Sequence, residues 1–238
     1  MIDFHYHIGR ISSDKLNEEY GIPKQAGAEF LVRNLKKFAD IDMMFATPYA
    51  TPHVGYAESL EWLLSEVKPY SELLPVPVIH PKAEATSSFL ARINSHDIPG
   101  IKLHCGSIDF EYSLENTALL KPFFSFAEER NLIIFIHTDR HSCRARDLAP
   151  LLEGYDGKIV LLHCCRPEGI ELTRYRSVIL ETSGCDTKDI DLTMRYVPDR
   201  VVFGSDFPFL DYEISLERVR NRISQIKQNE SDLLRNTI

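Results

Sequence analysis

The sequence predicts an α/β fold, namely a single compact (β/α)8 TIM barrel of parallel strands that spans residues 1–238. Two observations predict it. Short runs rich in apolar and β-branched residues recur at fairly even spacing, and they are apolar throughout, as in parallel strands covered on both faces. Amphipathic stretches separate these runs, and eight strand–helix units in 238 residues give about 30 residues per unit, near the compact end for this barrel.

Eight apolar runs are the predicted strands, and Gly9 follows the first, as expected where a buried strand ends at a functional loop. In chain order, the predicted strands cover residues 2–8, 42–47, 74–80, 100–105, 132–138, 158–164, 178–183 and 201–206. An open doubly wound sheet would also alternate strands with helices. It is disfavoured because no glycine-rich phosphate-binding turn follows the first strand, and because polar residues cluster at many strand ends.

Apolar side chains at helical spacing predict helices between the strands. The clearest stripes are Phe30, Leu31, Leu35 and Phe38, then Leu60, Leu63, Leu64 and Val67, then Phe89, Leu90 and Ile93, then Leu119, Phe123, Phe126 and Ala127, and then Leu148, Leu151 and Leu152. Further helices are predicted at residues 170–175, 189–196, 214–226 and 230–238. The polar segment 12–25 is expected to be a long loop over the barrel mouth.

Composition narrows the function classes. The formal net charge of −8 argues against a nucleic-acid binder, which would usually carry a basic face. The first residues include neither a basic segment nor a long apolar stretch, so we expect no signal peptide and no membrane span. The five cysteines form no C-x-x-C pair, so reduced thiols and a cytoplasmic location are expected for Cys105, Cys143, Cys164, Cys165 and Cys185.

His5 and His7 lie two residues apart in the first predicted strand. Because a strand repeats every two residues, both imidazoles leave the same face. Two neutral imidazoles on one face supply half of a transition-metal site. A single His-x-His pattern is weak evidence for a metal site, since many occur by chance. Other predicted strands of this chain, however, also end in histidines or a carboxylate.

Polar side chains end four further predicted strands, where a barrel of this kind has its active site. They are Lys102 with His104, then His137, His163 and Asp206. One buried histidine on an apolar strand is more often a core residue than a ligand. Buried together at a barrel mouth, however, these groups would leave polar atoms unsatisfied and a carboxylate unpaired, and a divalent metal would resolve both problems.

In these segments the chain resembles the amidohydrolase superfamily, particularly the amidohydrolase-related branch that includes metal-dependent decarboxylases and lactonases. The matching pieces lie at residues 2–7, 100–104, 132–138, 160–163 and 204–208. The resemblance implies a divalent metal, in the first place one Zn²⁺ ion, with a second ion as the alternative. Its implied ligands are His5, His7, His137 and Asp206. It further implies that His163 is either a ligand of a second metal or an acid/base group.

The sequence leaves two roles open for Lys102. In binuclear relatives such as phosphotriesterases a carboxylated lysine at this position bridges two metals, whereas single-metal relatives carry the same Lys-x-His segment without that role. The structural alternative is a lysine paired with a carboxylate. Candidate substrate contacts include Arg140 and Arg166, because guanidinium groups near a metal would suit a carboxylate or phosphate. His104 shares the face of Lys102 and is either a substrate contact or a group that supports the metal ligands. His53 and His80 are weaker candidates.

The predicted activity is metal-assisted hydrolysis of a small-molecule ester, lactone, amide or phosphoester. A bound cation lowers the pKa of water from about 15.7 towards about 7. Asp206 would accept a proton from that water and pass it to the leaving group, and His163 would stabilise charge or shuttle the proton.

Two other functions stay open. One is decarboxylation of a small organic acid at the same site, and the other is a non-catalytic metal-binding barrel. TatD-like nucleases share the opening motif, but their fourth strand has a glutamate where this chain has Lys102. The expected partner is therefore a small molecule, with an anionic group if the arginines bind it, and family analogy suggests a homodimer.

Overall fold

The computed structural model describes residues 1–11, 13–35, 37–38, 41–49, 55–82, 86–105 and 112–235. All strand pairs in these ranges are parallel. The strands are β1 Ile2–Ile8, β2 Met43–Pro48, β3 Leu73–Pro75, β4 Val78–Ile79, β5 Gly100–Leu103, β6 Ile133–His137, β7 Lys158–Leu162, β8 Val178–Glu181 and β9 Val201–Val202. They form one sheet ordered β1-β2-β3 and a second ordered β4 to β9 in sequence.

The two sheets follow one another around a single cylinder. The third predicted strand is divided at Val76 and Pro77, so that β3 pairs with β2 while β4 pairs with β5. At the other edge, Phe4 N–H donates to the Phe203 carbonyl over 2.9 Å, and His7 N–H donates to the Phe207 carbonyl over 2.9 Å. The strands that begin and end the series are therefore neighbours, as a (β/α)8 barrel requires.

Ten α-helices occupy the described ranges. They are α1 Asp14–Glu19, α2 Ala28–Leu35, α3 Tyr56–Val67, α4 Thr86–Asn94, α5 Thr117–Glu129, α6 Ala149–Leu152, α7 Pro167–Leu172, α8 Thr187–Tyr196, α9 Tyr212–Val219 and α10 Ile223–Leu234. The described parts of the chain include no helix with the length and apolar character that a bilayer crossing needs.

The helices correct the sequence prediction in three places. The expected loop at 12–25 contains α1, which begins where the Ser13 hydroxyl accepts the Leu16 N–H and satisfies one free donor of the first turn. The single helix expected at 214–226 is two helices joined by the 3-10 turn Arg220–Arg222. The terminal helix expected at 230–238 is the end of α10, and residues 236–238 lie outside the described part of the chain.

Two apolar cores hold the barrel together. The outer core lies between strands and helices, whereas the inner core fills the cylinder and includes Phe4, Phe45 and Phe135. The pairing of β1 with β2 shifts register between Asp3 and Tyr6. Because such an irregularity changes the side-chain alternation, Phe4 packs inside while Tyr6 packs in the outer core.

Cys105 and Cys143 form a disulfide, with their Cα atoms 6.0 Å apart. The expectation of five reduced thiols is therefore wrong for this pair. Strands β5 and β6 are neighbours, so the segments that follow them, with Cys105 and Cys143, lie close together. The C-x-x-C rule considers only cysteines close in sequence and therefore could not predict this pair. Cys164, Cys165 and Cys185 are free and buried.

Candidate metal centre

His5, His7 and Asp206 meet at the mouth of the barrel. The Oδ1 atom of Asp206 lies 3.2 Å from Nε2 of His5 and 3.2 Å from Nε2 of His7. Both imidazoles are buried, at 1% and 8% exposure. Backbone pairing fixes the arrangement, because Asp206 N–H donates to the His5 carbonyl over 2.7 Å.

This trio fits a divalent metal. One ligand atom from each side chain lies within 4.8 Å of the others, and two imidazoles with a carboxylate form a common donor set for transition metals. Burial, reinforced by the nearby Lys102, lowers the pKa of His7 to about 4 and holds that of His5 well below its usual range. Both rings are therefore neutral at neutral pH, and a neutral imidazole has the lone pair that a metal needs.

Lys102 lies beneath these ligand atoms. Its Nζ is 2.9 Å from Nε2 of His5, and the side chain is fully buried. Burial lowers the pKa of Lys102 to about 8, although the charges of Asp206 and Glu181 oppose that shift. The amine thus lies within reach of the proposed metal position, and both of its sequence-based roles remain predictions.

His163 follows β7 and lies beside His5, with ring centroids 4.9 Å apart. Its backbone has a φ of 60°, and Asp206 has a φ of 56°, which is a left-handed conformation that residues other than glycine rarely adopt. His163 is held there because its N–H donates to Glu181 over 3.0 Å and its carbonyl accepts from Arg166 over 2.9 Å. Backbone strain of this kind concentrates at functional sites.

Glu181, the last residue of β8, is a site residue that the sequence reasoning missed. It is completely buried, and with His5 and His163 it forms a second group of possible metal ligands. Burial raises its pKa, against the charge of His163 and hydrogen bonds from Ser183 and His163. Its position at the end of an apolar strand is the same signal that identified Asp206.

His137 and His104 form the opposite side of the mouth. The His137 ring lies 4.9 Å from the His163 ring and stacks on His104 at 4.1 Å. Neither residue belongs to the ligand groups found in the described ranges. Metal ligation by His137 and substrate contact by His104 therefore remain predictions, and His53 lies outside the described residues.

Arg166 and Arg140 occupy different environments. Arg166 is buried, and its guanidinium donates to the His163 carbonyl and to the Asp139 carbonyl, each over 2.9 Å. It also pairs with Glu168 at 3.2 Å. Arg140 is 68% exposed and lies 3.4 Å from Asp189. Arg166 thus secures the backbone around His163, and substrate contact by either arginine remains a prediction.

Aromatic rings cover the outer side of His7. Tyr49 stacks on it at 5.1 Å, while Phe209 meets it edge-on at 5.0 Å and is itself contacted by Tyr20. The Tyr49 hydroxyl is buried and has no hydrogen-bond partner among the described residues. These rings, which the sequence did not predict as part of the site, give the pocket a flat apolar wall next to the possible metal ligands.

The fold and this centre define a barrel metalloprotein of hydrolase type. A family model described as Amidohydrolase matches residues 2–233, and the chain therefore belongs to the amidohydrolase family. This family membership and the parallel barrel confirm the predicted fold class. No curated protein sequence matches the chain.

Several solved structures are similar over almost the whole chain. A probable 2-pyrone-4,6-dicarboxylic acid hydrolase from Acinetobacter baumannii with citric acid bound has 17% identity and a TM-score of 0.68, covering 98% of each chain. An uncharacterised TIM-barrel protein from Bordetella bronchiseptica has 15% identity and a TM-score of 0.75, covering 99% of this chain and 98% of that one. A dihydroxybenzoic acid decarboxylase from Polaromonas, with manganese and 2-nitroresorcinol bound, has 13% identity and a TM-score of 0.72, covering 98% and 96%. At these identities the likeness establishes the shared barrel.

Proposed function

We propose that this protein is a metal-dependent hydrolase of a small-molecule ester, lactone, amide or phosphoester, with Zn²⁺ as its cation. One observation carries the proposal: the single oxygen Oδ1 of Asp206 lies 3.2 Å from Nε2 of both His5 and His7. Two neutral ring nitrogens and a carboxylate oxygen directed at one point form a donor set that suits a divalent cation. The family and the pyrone-dicarboxylic acid hydrolase neighbour support hydrolysis.

His5, His7 and Asp206 would hold the cation, with His137 and Lys102 as further ligand candidates and His163 as a ligand only if a second ion binds. When bound, such a cation acidifies a water molecule and polarises the oxygen of the scissile group. Asp206 would take the proton at Oδ2, since Oδ1 faces the two imidazoles. Burial alone would raise the pKa of Asp206, but its hydrogen bond with His7 and the nearby His163 and Lys102 hold it below the usual value. The carboxylate is therefore ionised and able to act as the base.

For the substrate, we propose a small molecule with an anionic group. Three candidate contacts are His104, which stacks on His137, the exposed Arg140 beside Asp189, and Arg166, whose donors are already engaged by the protein. The family resemblance supports a homodimer. A cytoplasmic location stays a prediction, and the Cys105–Cys143 disulfide does not favour it.

Replacing Asp206 with asparagine tests the hydrolase proposal. We expect turnover to fall at least about 10³-fold against whichever substrate of an ester, lactone, amide and phosphoester panel the zinc-loaded protein hydrolyses. The exposed Asp199→Asn variant is the matched control. Metal analysis of the purified protein accompanies the assay. Turnover close to the wild-type value in Asp206→Asn, or the absence of a bound divalent metal from an active protein, would contradict the proposal.

Decarboxylation of a planar organic acid is the second candidate. The aromatic wall formed by Tyr49, Phe209 and Tyr20 favours it, because a flat unsaturated acid could stack there beside His7. The Polaromonas decarboxylase neighbour supports it as well. Release of carbon dioxide from a hydroxybenzoic acid panel, without hydrolysis of any ester or lactone, would favour this reaction over the first.

A further inference from the structure

The Ser183 hydroxyl lies at the centre of a small polar cluster behind the ligand atoms. Its Oγ is 3.1 Å from Nδ1 of His5 and 2.9 Å from Nδ1 of His163. The same Oγ is 2.7 Å from Oε2 of Glu181. All three contacts are within hydrogen-bond distance, and Ser183, His5 and Glu181 are each at least 98% buried.

With Glu181 ionised, one assignment of hydrogens satisfies this cluster. The Glu181 carboxylate accepts the backbone N–H of His163 at Oε2 and the backbone N–H of Ser183 at Oε1, so it acts as an acceptor. A hydroxyl has one hydrogen and two lone pairs. The Ser183 hydrogen therefore points to Glu181, and its lone pairs face the two imidazoles. Each imidazole must then donate from Nδ1.

Two contacts outside the cluster agree with this assignment. Nδ1 of His163 also lies 3.1 Å from the Ser183 carbonyl oxygen, which can only accept. On the opposite side of the His5 ring, Lys102 approaches Nε2 to 2.9 Å, and an ammonium group can only donate. Both contacts favour Nδ1 as the nitrogen that carries the hydrogen. Oδ1 of Asp206, 3.2 Å from Nε2 of His5, is an acceptor that favours the opposite tautomer of this ring, so the Nδ1–H form of His5 requires Ser183 and Lys102 to outweigh that carboxylate.

We propose that Ser183 is a positioning residue that holds His5 and His163 in the Nδ1–H tautomer, leaving Nε2 of each ring as the nitrogen with the free lone pair. Glu181 acts behind it as the fixed acceptor, not as a metal ligand. The inference rests on the proposed metal-dependent function, because the free lone pair on Nε2 of His5 is what a cation at Asp206 would need. Groups that hold a ligating histidine in this way tune metal affinity about 10- to 100-fold.

The tautomers are measured directly in metal-free protein. Long-range ¹H–¹⁵N spectra of chelator-treated, ¹⁵N-histidine-labelled protein distinguish Nδ1–H from Nε2–H rings, and His5→Gln and His163→Gln variants assign the two signals. We expect both rings as Nδ1–H in the wild type and in Ser183→Thr, which keeps the hydroxyl. In Ser183→Ala at least one ring should shift toward Nε2–H. An Nε2–H ring for His5 or His163 in the wild type overturns the inference whether or not either Ser183 variant folds.

Metal affinity provides the second readout. Zn²⁺ competition against a chromophoric chelator should give a dissociation constant about 10- to 100-fold weaker for Ser183→Ala and little changed for Ser183→Thr. The control is Ser177→Ala. Ser177 immediately precedes the first residue of β8, and its buried hydroxyl has no hydrogen-bond partner among the described residues. Equal affinity in Ser183→Ala and the wild type, or an equal loss in Ser177→Ala, would refute the positioning role. If the wild-type protein binds no metal, the proposed function fails, while the tautomer spectra still decide the assignment at Ser183.

Discussion

Glu230 makes the stability of this barrel depend on pH. The side chain lies on α10 and is only 3% exposed, and its Oε2 accepts the N–H of Ile2, the first residue of the strand that carries His5 and His7. Burial raises the pKa of Glu230 from 4.5 to about 8, although the Ile2 hydrogen bond, the chain N-terminus and Lys227 oppose the shift. Folding therefore favours the neutral carboxyl.

A carboxyl whose pKa is raised by folding contributes its full stability below about pH 4.5, and the contribution is lost as the pH rises towards about 8. Each pH unit in this window is worth about 1.4 kcal/mol, so ionised Glu230 costs roughly 5 kcal/mol above pH 8. In Glu230→Gln the amide oxygen keeps the Ile2 bond. Its NH₂ replaces an oxygen without a described partner, at a cost of about 1–3 kcal/mol.

The variant should therefore be less stable than the wild type near pH 4.5 and more stable, by about 2–4 kcal/mol, at pH 9. Urea unfolding of chelator-treated protein across this range measures both ends, with Asp232→Asn on the exposed face of α10 as the control. Asp3, whose pKa burial raises to about 7, adds a slope of the same sign in both proteins. Stability curves that run parallel, without crossing, would refute the reasoning.

Three further substitutions have defined outcomes. Gly204→Ala would place a Cβ in steric overlap with Oε1 of the buried Glu181, so we expect urea unfolding to show a loss of about 1–3 kcal/mol, and chelator competition to show weaker metal binding. Arg166→Lys removes donors to the Asp139 and His163 carbonyls and should cost about 1–3 kcal/mol by the same unfolding assay, whereas an unchanged value would mean that these bonds contribute nothing net. Tyr49→Phe deletes a buried hydroxyl without a described partner, so stability should be equal or higher while kcat/KM falls; an unchanged kcat/KM would remove this hydroxyl from the substrate pocket.

Hydrophobic runs and strand-end histidines were sufficient to predict the barrel, and they placed the ligand candidates at its mouth. The apolar run at 178–183 shows a limit of these patterns. Its carboxylate, Glu181, ends β8 just as Asp206 follows β9, but attention to histidine patterns passed over it. Arg166 shows a different limit, since its acceptors are backbone carbonyls of other segments, which no residue pattern encodes.

Local backbone geometry was also beyond the sequence. His163 and Asp206 adopt left-handed conformations that a pattern search would assign to glycine or asparagine. The tertiary structure holds them there through Glu181 and through the His5 carbonyl. A strict two-residue period would likewise have placed Phe4 on the same face of β1 as Tyr6. Because the pairing of β1 is irregular between Asp3 and Tyr6, Phe4 packs in the inner core instead.

In this chain, the backbone hydrogen bonds that close the barrel also set the geometry of the candidate metal ligands. Asp206 N–H donates to the His5 carbonyl over 2.7 Å, and His7 N–H donates to the Phe207 carbonyl over 2.9 Å. These are two of the backbone bonds that join the first strand to the last, and they also bring Oδ1 of Asp206 to both Nε2 atoms. Bringing the first and last strands together closes nearly the whole chain into one loop, and this costs conformational entropy. A cation held by these three side chains binds the closed cylinder and not the open one, so its binding free energy adds to the free energy of unfolding. Metal affinity and barrel stability must therefore rise and fall together wherever a substitution disturbs the contact between β1 and the segment that follows β9.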